Sequence, residues 1–218
     1  MQPANPDDPA AEMDAAARLL ADVAAGRRGP VARVFRPAPT VAFGRLDELR
    51  EGYEEARRRA VDAGYTPVRR LAGGRAAAYH RGSVVLELFT LQSSIAAGIE
   101  RRFNQLTELI AATLADQGLA VGIGELPGEF CPGRFSVHAN GVKLAGVAQR
   151  SIRGAALVAA FVSVERGAEL RQVLTAVYDA LELDWDPGTA GAAEDLLPGL
   201  TAADVAAALE DRLAAPFR

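Results

Sequence analysis

Asn140-Gly141 separates two runs of apolar and small residues, Phe135-Ser136-Val137-His138-Ala139 and Val142-Lys143-Leu144-Ala145-Gly146-Val147-Ala148-Gln149-Arg150. An Asn-Gly pair between two such runs is the strongest short-range signal of a two-residue hairpin, because both turn residues must take positive φ. A further run over 155–164 carries almost no polar residue and reads as a strand covered on both faces. Neighbouring strands of this kind cannot stand in water alone, so the remainder of the chain must cover them.

Helices at both ends and in the middle can do so. Asp8-Pro9 predicts an N-cap and a first helical position, with Met13, Ala17, Leu20 and Val23 on one face and Gly26 and Gly29-Pro30 as the stop. Short strands are expected at 31–35 and 40–43, then a helix through Leu49, Tyr53, Ala56 and Ala60 that ends at Gly64. Strands at 66–71, 76–80 and 84–91 precede a long helix marked by Ile99, Phe103, Leu106, Ile110 and Leu114, with Gly118 as its C-terminal glycine. A strand at 119–126 and a loop at 127–133 lead into the hairpin. The tail, 168–218, is expected to be helical: Leu170, Val173, Leu174, Val177 and Leu181 share a face. Thr201-Ala202-Ala203-Asp204 resembles a capping box with Asp in place of Glu. The reading is one α+β domain over 1–218, mixed or antiparallel β-sheets flanked by helices, with residues 1–8 a disordered N-terminus.

Composition removes several classes of function. A formal charge of -4 argues against general nucleic-acid binding, which requires a basic surface. The single cysteine cannot form an internal disulfide, and with only two histidines a structural zinc site lacks ligands. No apolar run approaches the roughly 20 residues that span a bilayer. The start of the chain has neither the basic nor the apolar region of a signal peptide. The expectation is a cytoplasmic protein with no metal, membrane or nucleic-acid partner.

Cys131 is the only cysteine and Lys143 the only lysine, and they flank the Asn-Gly turn. The thiolate is the reactive form of cysteine, and a nearby ammonium lowers its pKa. A lone cysteine is also commonly a small buried hydrophobe; against this, Pro127, Gly128, Pro132 and Gly133 make its surroundings a loop. Arg69-Arg70-Leu71-Ala72-Gly73-Gly74-Arg75 offers backbone N–H donors between two strands, or simply a glycine turn with solvated arginines. His80 and His138 are candidate bases or satisfied strand histidines. Strict alternation places Lys143, Ala145, Val147 and Gln149 on one strand face and Val142, Leu144, Gly146 and Ala148 on the other. Gly146 and Ala148 would then leave a groove for an extended apolar ligand.

These segments together resemble the biotin/lipoate protein ligase and transferase superfamily. Its Arg-Arg-x-x-Gly-Gly loop is similar to Arg69-Arg70-Leu71-Ala72-Gly73-Gly74, and its lysine strand to Gly141-Val142-Lys143-Leu144-Ala145-Gly146-Val147-Ala148-Gln149-Arg150. Val41-Ala42-Phe43-Gly44-Arg45-Leu46-Asp47 looks like its early strand. Within the superfamily, Phe130-Cys131-Pro132-Gly133 and Tyr178 through Trp185-Asp186-Pro187 look most like the protein N-octanoyltransferases that take octanoyl from the glycine cleavage H protein. The chain departs from the superfamily's His-Asp-x-Gly-x-Leu-Asn with His80-Arg81-Gly82-Ser83-Val84-Val85-Leu86.

The resemblance implies an enzyme of the biotin/lipoate ligase fold, with Cys131 as acyl carrier and Lys143 as acid and base. It implies acyl binding by Arg70, Gly73, Gly74, Arg75, Ala77, His80, Gly146, Ala148 and Gln149, with the Gly73 and Gly74 amides on the oxyanion and the tail along Ala77, Gly146 and Ala148. The group moved would be octanoyl or lipoyl, with no ATP or other cofactor. The partners would be the glycine cleavage H protein and the lipoyl domains of 2-oxoacid dehydrogenase E2 subunits. Alternative readings are octanoyl transfer from acyl carrier protein, ATP-dependent lipoate ligation, and a non-catalytic binder of lipoyl domains docking through Arg69, Arg70, Arg75 and Arg81.

Overall fold

The computed structural model describes residues 7–94 and 98–214. The stretch 1–6, most of the terminus expected to be disordered, and the last four residues of the expected helical tail lie outside them. A six-stranded antiparallel sheet forms the centre. Its strands are β1 (Val31–Phe35), β5 (Ser83–Leu91), β9 (Ala155–Ser163), β8 (Val142–Ile152), β7 (Val137–Ala139) and β6 (Gly122–Ile123), in that spatial order. Beside it a three-stranded mixed sheet has β2 (Thr40–Phe43) between β3 (Thr66–Arg69), parallel to it, and β4 (Ala77–Tyr79), antiparallel. The α+β expectation holds, with the strands divided between two sheets.

The apolar character of 155–164 has the predicted cause. β9 runs between β5 and β8, and its side chains alternate between the two faces of the sheet, both of them covered. On the back of the large sheet, α3 (Ile99–Asp116) and α5 (Ala202–Ala214) bury Leu106, Ile110, Leu114, Val205 and Leu209 against Val158, Ala160 and Val162. On the front, α1 (Pro9–Ala24) lays Ala16, Leu19, Leu20 and Val23 over Phe89, Ala155 and Leu157. Phe161 faces a third core, built by the small sheet with α2 (Tyr53–Asp62) and α4 (Gly167–Ala180).

The local signals act as expected at most element ends. The Asp8 carboxylate accepts from the Ala10 and Ala11 amides, with Pro9 in the first turn. Asn140 and Gly141 both take positive φ, 47° and 78°. Thr201 and Asp204 form the reciprocal capping box, each accepting from the other's amide. Gly118 follows α3 in the left-handed region.

Four local expectations are corrected. Ala17 points to solvent, and Ala16 and Leu19 take its place on the buried face. Leu49 is 76% exposed and precedes α2, which begins at Tyr53. The strand expected at 119–126 is only Gly122–Ile123, because Gly124 turns to a φ of 148°. The fourth concerns β8: its pairing with β7 jumps from His138 opposite Lys143 to Val137 opposite Ala145, so Leu144 is an extra residue. This bulge puts Leu144 and Ala145 together into the back core and shifts the phase of the alternation. Lys143 therefore shares the front face with Gly146, where an added Cβ would lie 3.4 Å from Lys143 Cε.

Candidate active site

A cavity of about 460 Å3 lies on the front of the large sheet, bounded by α1, the Gly73-Gly74 loop and the Cys131 loop. Its floor comes from Val85 on β5, Ala159 and Phe161 on β9, and Gly146 and Ala148 on β8. Gly146 has no side chain for a specific reason: a Cβ would lie 2.9 Å from the Phe161 ring. Cys131 and Lys143 both line the cavity. The front face of the bulged strand thus supplies both the lysine and the floor.

Cys131 has a φ of 43°, in a region that L residues seldom adopt. Three bonds hold it there. Its amide donates to Tyr178 Oη at 2.7 Å, and that hydroxyl donates to the Ala76 carbonyl at 2.9 Å. Its carbonyl accepts from Lys143 Nζ at 2.8 Å. Lys143 is 1% exposed and fills its other two donor positions with the Phe130 carbonyl (3.0 Å) and Glu129 Oε1 (3.1 Å). Glu129 is equally enclosed; its carboxylate also accepts from the Gly133 amide and Ser136 Oγ, at 2.9 and 2.7 Å. The buried Lys143–Glu129 pair is satisfied on every side, which an ion pair needs in order to exist out of water.

The thiol's own partner is Arg70. Its Nη2 lies 3.1 Å from Cys131 Sγ, and the same nitrogen donates to the Arg75 carbonyl. Burial pushes the half-buried thiol up, but the Arg70 and Lys143 charges and the Arg70 hydrogen bond outweigh it and leave the thiol below its ordinary value. Burial pushes the Tyr178 hydroxyl strongly upward, so it remains a neutral bridge.

Gly73 and Gly74 border the cavity, as expected. Gly73 has a φ of 120°, and the Arg70 guanidinium lies where its Cβ would project, with Nη1 at 2.6 Å. Arg75 does not face the cavity; it reaches Asp47 at 3.5 Å and the Leu46 carbonyl at 3.2 Å. The other Asp47 oxygen accepts from the Gly44 amide at 2.9 Å, and the Gly74 carbonyl packs flush on Gly44. Arg75 thereby braces the loop from outside. Ala77 is fully buried beneath it and is not a wall of the cavity; Tyr79, on the same strand, is. His80 is buried away from the cavity, its Nδ1 accepting from the Gly82 amide at 2.9 Å, and burial lowers its pKa. Gln149 borders the cavity and is held by Arg102, whose Nε donates to Gln149 Oε1 at 2.9 Å.

Of the expected site, Cys131, Lys143, Arg70, Gly73, Gly74, Gly146, Ala148 and Gln149 come together, and Arg75, Ala77 and His80 do not. Nor do Arg69, Arg70, Arg75 and Arg81 form a free basic patch: Arg69 pairs with Glu48, Arg75 with Asp47 and Arg81 with Asp7, while Arg70 turns inward. The sequence reading gave Glu129 and Tyr178 no role in the site. A lone buried lysine requires an anion, and Glu129, two residues before the cysteine, was the available signal. Nothing in the sequence pattern ties Tyr178, 47 residues away, to the Cys131 amide.

The lipoyl protein ligase A/B catalytic domain matches residues 8–186. The octanoyl-GcvH:protein N-octanoyltransferase of Geobacillus kaustophilus is 30% identical over 162 residues, covering 74% of this chain and 57% of that protein. The one from Bacillus velezensis is 26% identical over 181 residues, 83% of this chain and 63% of that protein. The chain thus matches these relatives over little more than half of their length. A bi-partite lipoate protein ligase from Thermoplasma acidophilum shares the fold, with a TM-score of 0.63 at 19% identity over 89% of this chain and 75% of that one. So does a lipoate-protein ligase A bound with ATP, with a TM-score of 0.63 at 20% identity over 88% of this chain and 76% of that one. The domain match takes in both the Cys131 loop and the Lys143 strand, and the chain belongs to the lipoyl protein ligase A/B catalytic domain family.

Proposed function

We propose that this chain is an acyltransferase of lipoate metabolism that moves an octanoyl or lipoyl group between carrier-protein lysines through a thioester on Cys131. The observation that carries this reading is the guanidinium of Arg70, 3.1 Å from a thiol that lines an apolar-floored cavity. A cationic partner that favours the thiolate is what nucleophilic catalysis by cysteine needs. The names of the relatives, which specify octanoyl and GcvH, support the same acyl group and donor.

In the first half-reaction the Cys131 thiolate attacks the carbonyl carbon of an acyl-lysine amide on the donor. A C–S bond forms, the C–N bond breaks, and the departing amine takes a proton from the Lys143 ammonium. In the second, the acceptor lysine amine attacks the thioester and its surplus proton passes to Lys143, while the thiolate leaves toward Arg70. Because Nζ holds three acceptors at rest, one of the loop carbonyls must release it for each proton transfer. The Gly73 and Gly74 amides donate no hydrogen bond to the described residues and border the cavity, so they are available to the oxyanion. One amide is exchanged for another, so the reaction needs no ATP. The donor is the glycine cleavage H protein and the acceptors are lipoyl domains of 2-oxoacid dehydrogenase E2 subunits.

Incubating octanoylated H protein with an apo lipoyl domain and following both by intact mass spectrometry tests the proposal. Transfer without ATP, with an octanoyl adduct on Cys131, is expected. Transfer that survives in Cys131→Ala overturns the covalent route, and strict dependence on ATP overturns the transferase reading. Transfer only from acylated acyl carrier protein would replace the donor.

A further inference from the structure

The chain that leaves α4 returns to the Cys131 loop. It turns at Glu182, whose φ is 52°, and the Leu183 amide donates to the Tyr178 carbonyl at 3.0 Å. The Asp186 amide then donates to the Gly128 carbonyl at 2.7 Å. Gly128, at a φ of 76°, has little room for a side chain there, since a Cβ would lie 3.0 Å from Asp186 Cβ. Arg171 holds the next stretch, its Nε donating to the Pro187 and Ala190 carbonyls, both at 3.0 Å. Ala190 forms a parallel bridge with Lys143. Residues 183–190 are thus fastened both to the loop of the thiol and to the strand of the lysine.

Trp185, half-buried, is the one large ring of this segment. It meets Phe130 edge-on, with centroids 6.2 Å apart at 89°, and Tyr178 at 5.3 Å and 47°. An aromatic ring at the margin of a core is ordinarily packing and no more. The two rings under Trp185 carry a further duty, because each serves one side of the Cys131 backbone. Tyr178 Oη accepts from the Cys131 amide at 2.7 Å. Phe130 is 1% exposed; the Lys143 ammonium stands over its ring, 4.9 Å from the centroid, and bonds its carbonyl at 3.0 Å and that of Cys131 at 2.8 Å.

On the reading that Cys131 carries the acyl group, we infer that Trp185 is a positioning residue for that reaction, holding Cys131 in place through Phe130 and Tyr178. The φ of 43° at Cys131 is one that an L residue keeps only while its surroundings impose it. Those surroundings are a hydroxyl at the tip of one ring and an ammonium seated on another. With Trp185 removed, both rings gain room to shift, and the loop can relax toward an ordinary φ. The sulfur then leaves its place 3.1 Å from Arg70 Nη2, where a cation favours the thiolate.

The test compares Trp185→Leu and Trp185→Phe with Val205→Ala, which opens space in the back core far from the loop. Each variant is unfolded in urea, and Cys131 is alkylated with iodoacetamide across a range of pH. In Trp185→Leu the alkylation rate near neutral pH should fall at least about fivefold and the midpoint should move upward. Trp185→Phe keeps an aromatic edge against Phe130 and should recover most of the wild-type rate. Val205→Ala should lose stability with no change in midpoint. A Trp185→Leu variant that loses stability yet keeps the wild-type midpoint overturns the inference, and Trp185→Phe as impaired as Trp185→Leu overturns the ring contacts as its basis. If Trp185→Leu fails to fold, the wild type decides. Trp185 is the only tryptophan, so its emission should change in step with alkylation of Cys131, and an emission that does not respond overturns the coupling. Octanoyl transfer that survives in Cys131→Ala instead overturns the covalent reading on which this role rests, whatever the alkylation profiles show.

Discussion

Arg70 Nη2 lies 3.1 Å from Cys131 Sγ, whereas Lys143 bonds the carbonyl of the same residue at 2.8 Å. The two cations thus have different tasks. Arg70 acts on the sulfur directly, and Lys143 fixes the loop while adding its charge. Alkylation of wild-type Cys131 by iodoacetamide should follow a pH profile with its midpoint below the ordinary value of a thiol. In Arg70→Gln the burial remains and the largest favourable charge is gone, so the midpoint should move above that value, with at least a tenfold loss of reactivity near neutral pH. The same shift bears on stability. A depressed thiol pKa adds stability that is complete above the unfolded value and is lost as pH falls through the folded one.

The Lys143–Glu129 pair predicts a double-mutant signature. The side chains are 1% and 0% exposed, so removing either leaves an uncompensated buried charge. Glu129→Met and Lys143→Met should each cost about 3–5 kcal/mol in urea unfolding, and the double variant should cost less than the sum of the two. Additive losses would show that the pair is not the unit that holds the loop.

Tyr178 bridges the Cys131 amide and the Ala76 carbonyl. Tyr178→Phe keeps the ring and orphans a buried donor and a buried acceptor, at a cost of about 1–3 kcal/mol by thermal or urea unfolding. Because that bridge holds Cys131 at positive φ, thiol reactivity should fall more than the stability loss alone accounts for. A variant with reduced stability but unaltered alkylation kinetics would mean that φ is set by the Lys143 side alone.

How much of this could be read in advance depends on the distance over which each cause acts. The Asp8 cap, the Asn140-Gly141 turn and the uninterrupted apolar run of β9 are local or nearly so, and each appears in the fold as read. The phase of β8 could not be read, because Leu144 is extra only relative to the pairing partner Val137, which strict alternation ignores. The family resemblance likewise placed Ala77, His80 and Arg75 in the cavity, because a motif match carries no information on which way each side chain turns. In the fold, His80 and Arg75 turn to partners on other segments and Ala77 is covered by the core. Arg70 was placed in the site but given to the acyl group, since nothing local brings it to a thiol 61 residues away.

The glycine loop supplies the sharpest contrast between adjacent residues. At Gly73 a Cβ would enter the Arg70 guanidinium, 2.6 Å from Nη1, and φ is already 120°; at Gly74 a Cβ would meet nothing within 4 Å. Gly73→Ala must therefore either strain the backbone or drive the guanidinium away from Cys131. It should reproduce the Arg70→Gln phenotype, an upward shift of the alkylation midpoint, although Arg70 itself is unchanged. Gly74→Ala should leave the midpoint within experimental error of wild type. Equal effects from the two substitutions would indicate that the loop acts on the thiol through its general flexibility, and a midpoint unmoved by Gly73→Ala would show that Arg70 keeps its place on the sulfur without the space that Gly73 leaves.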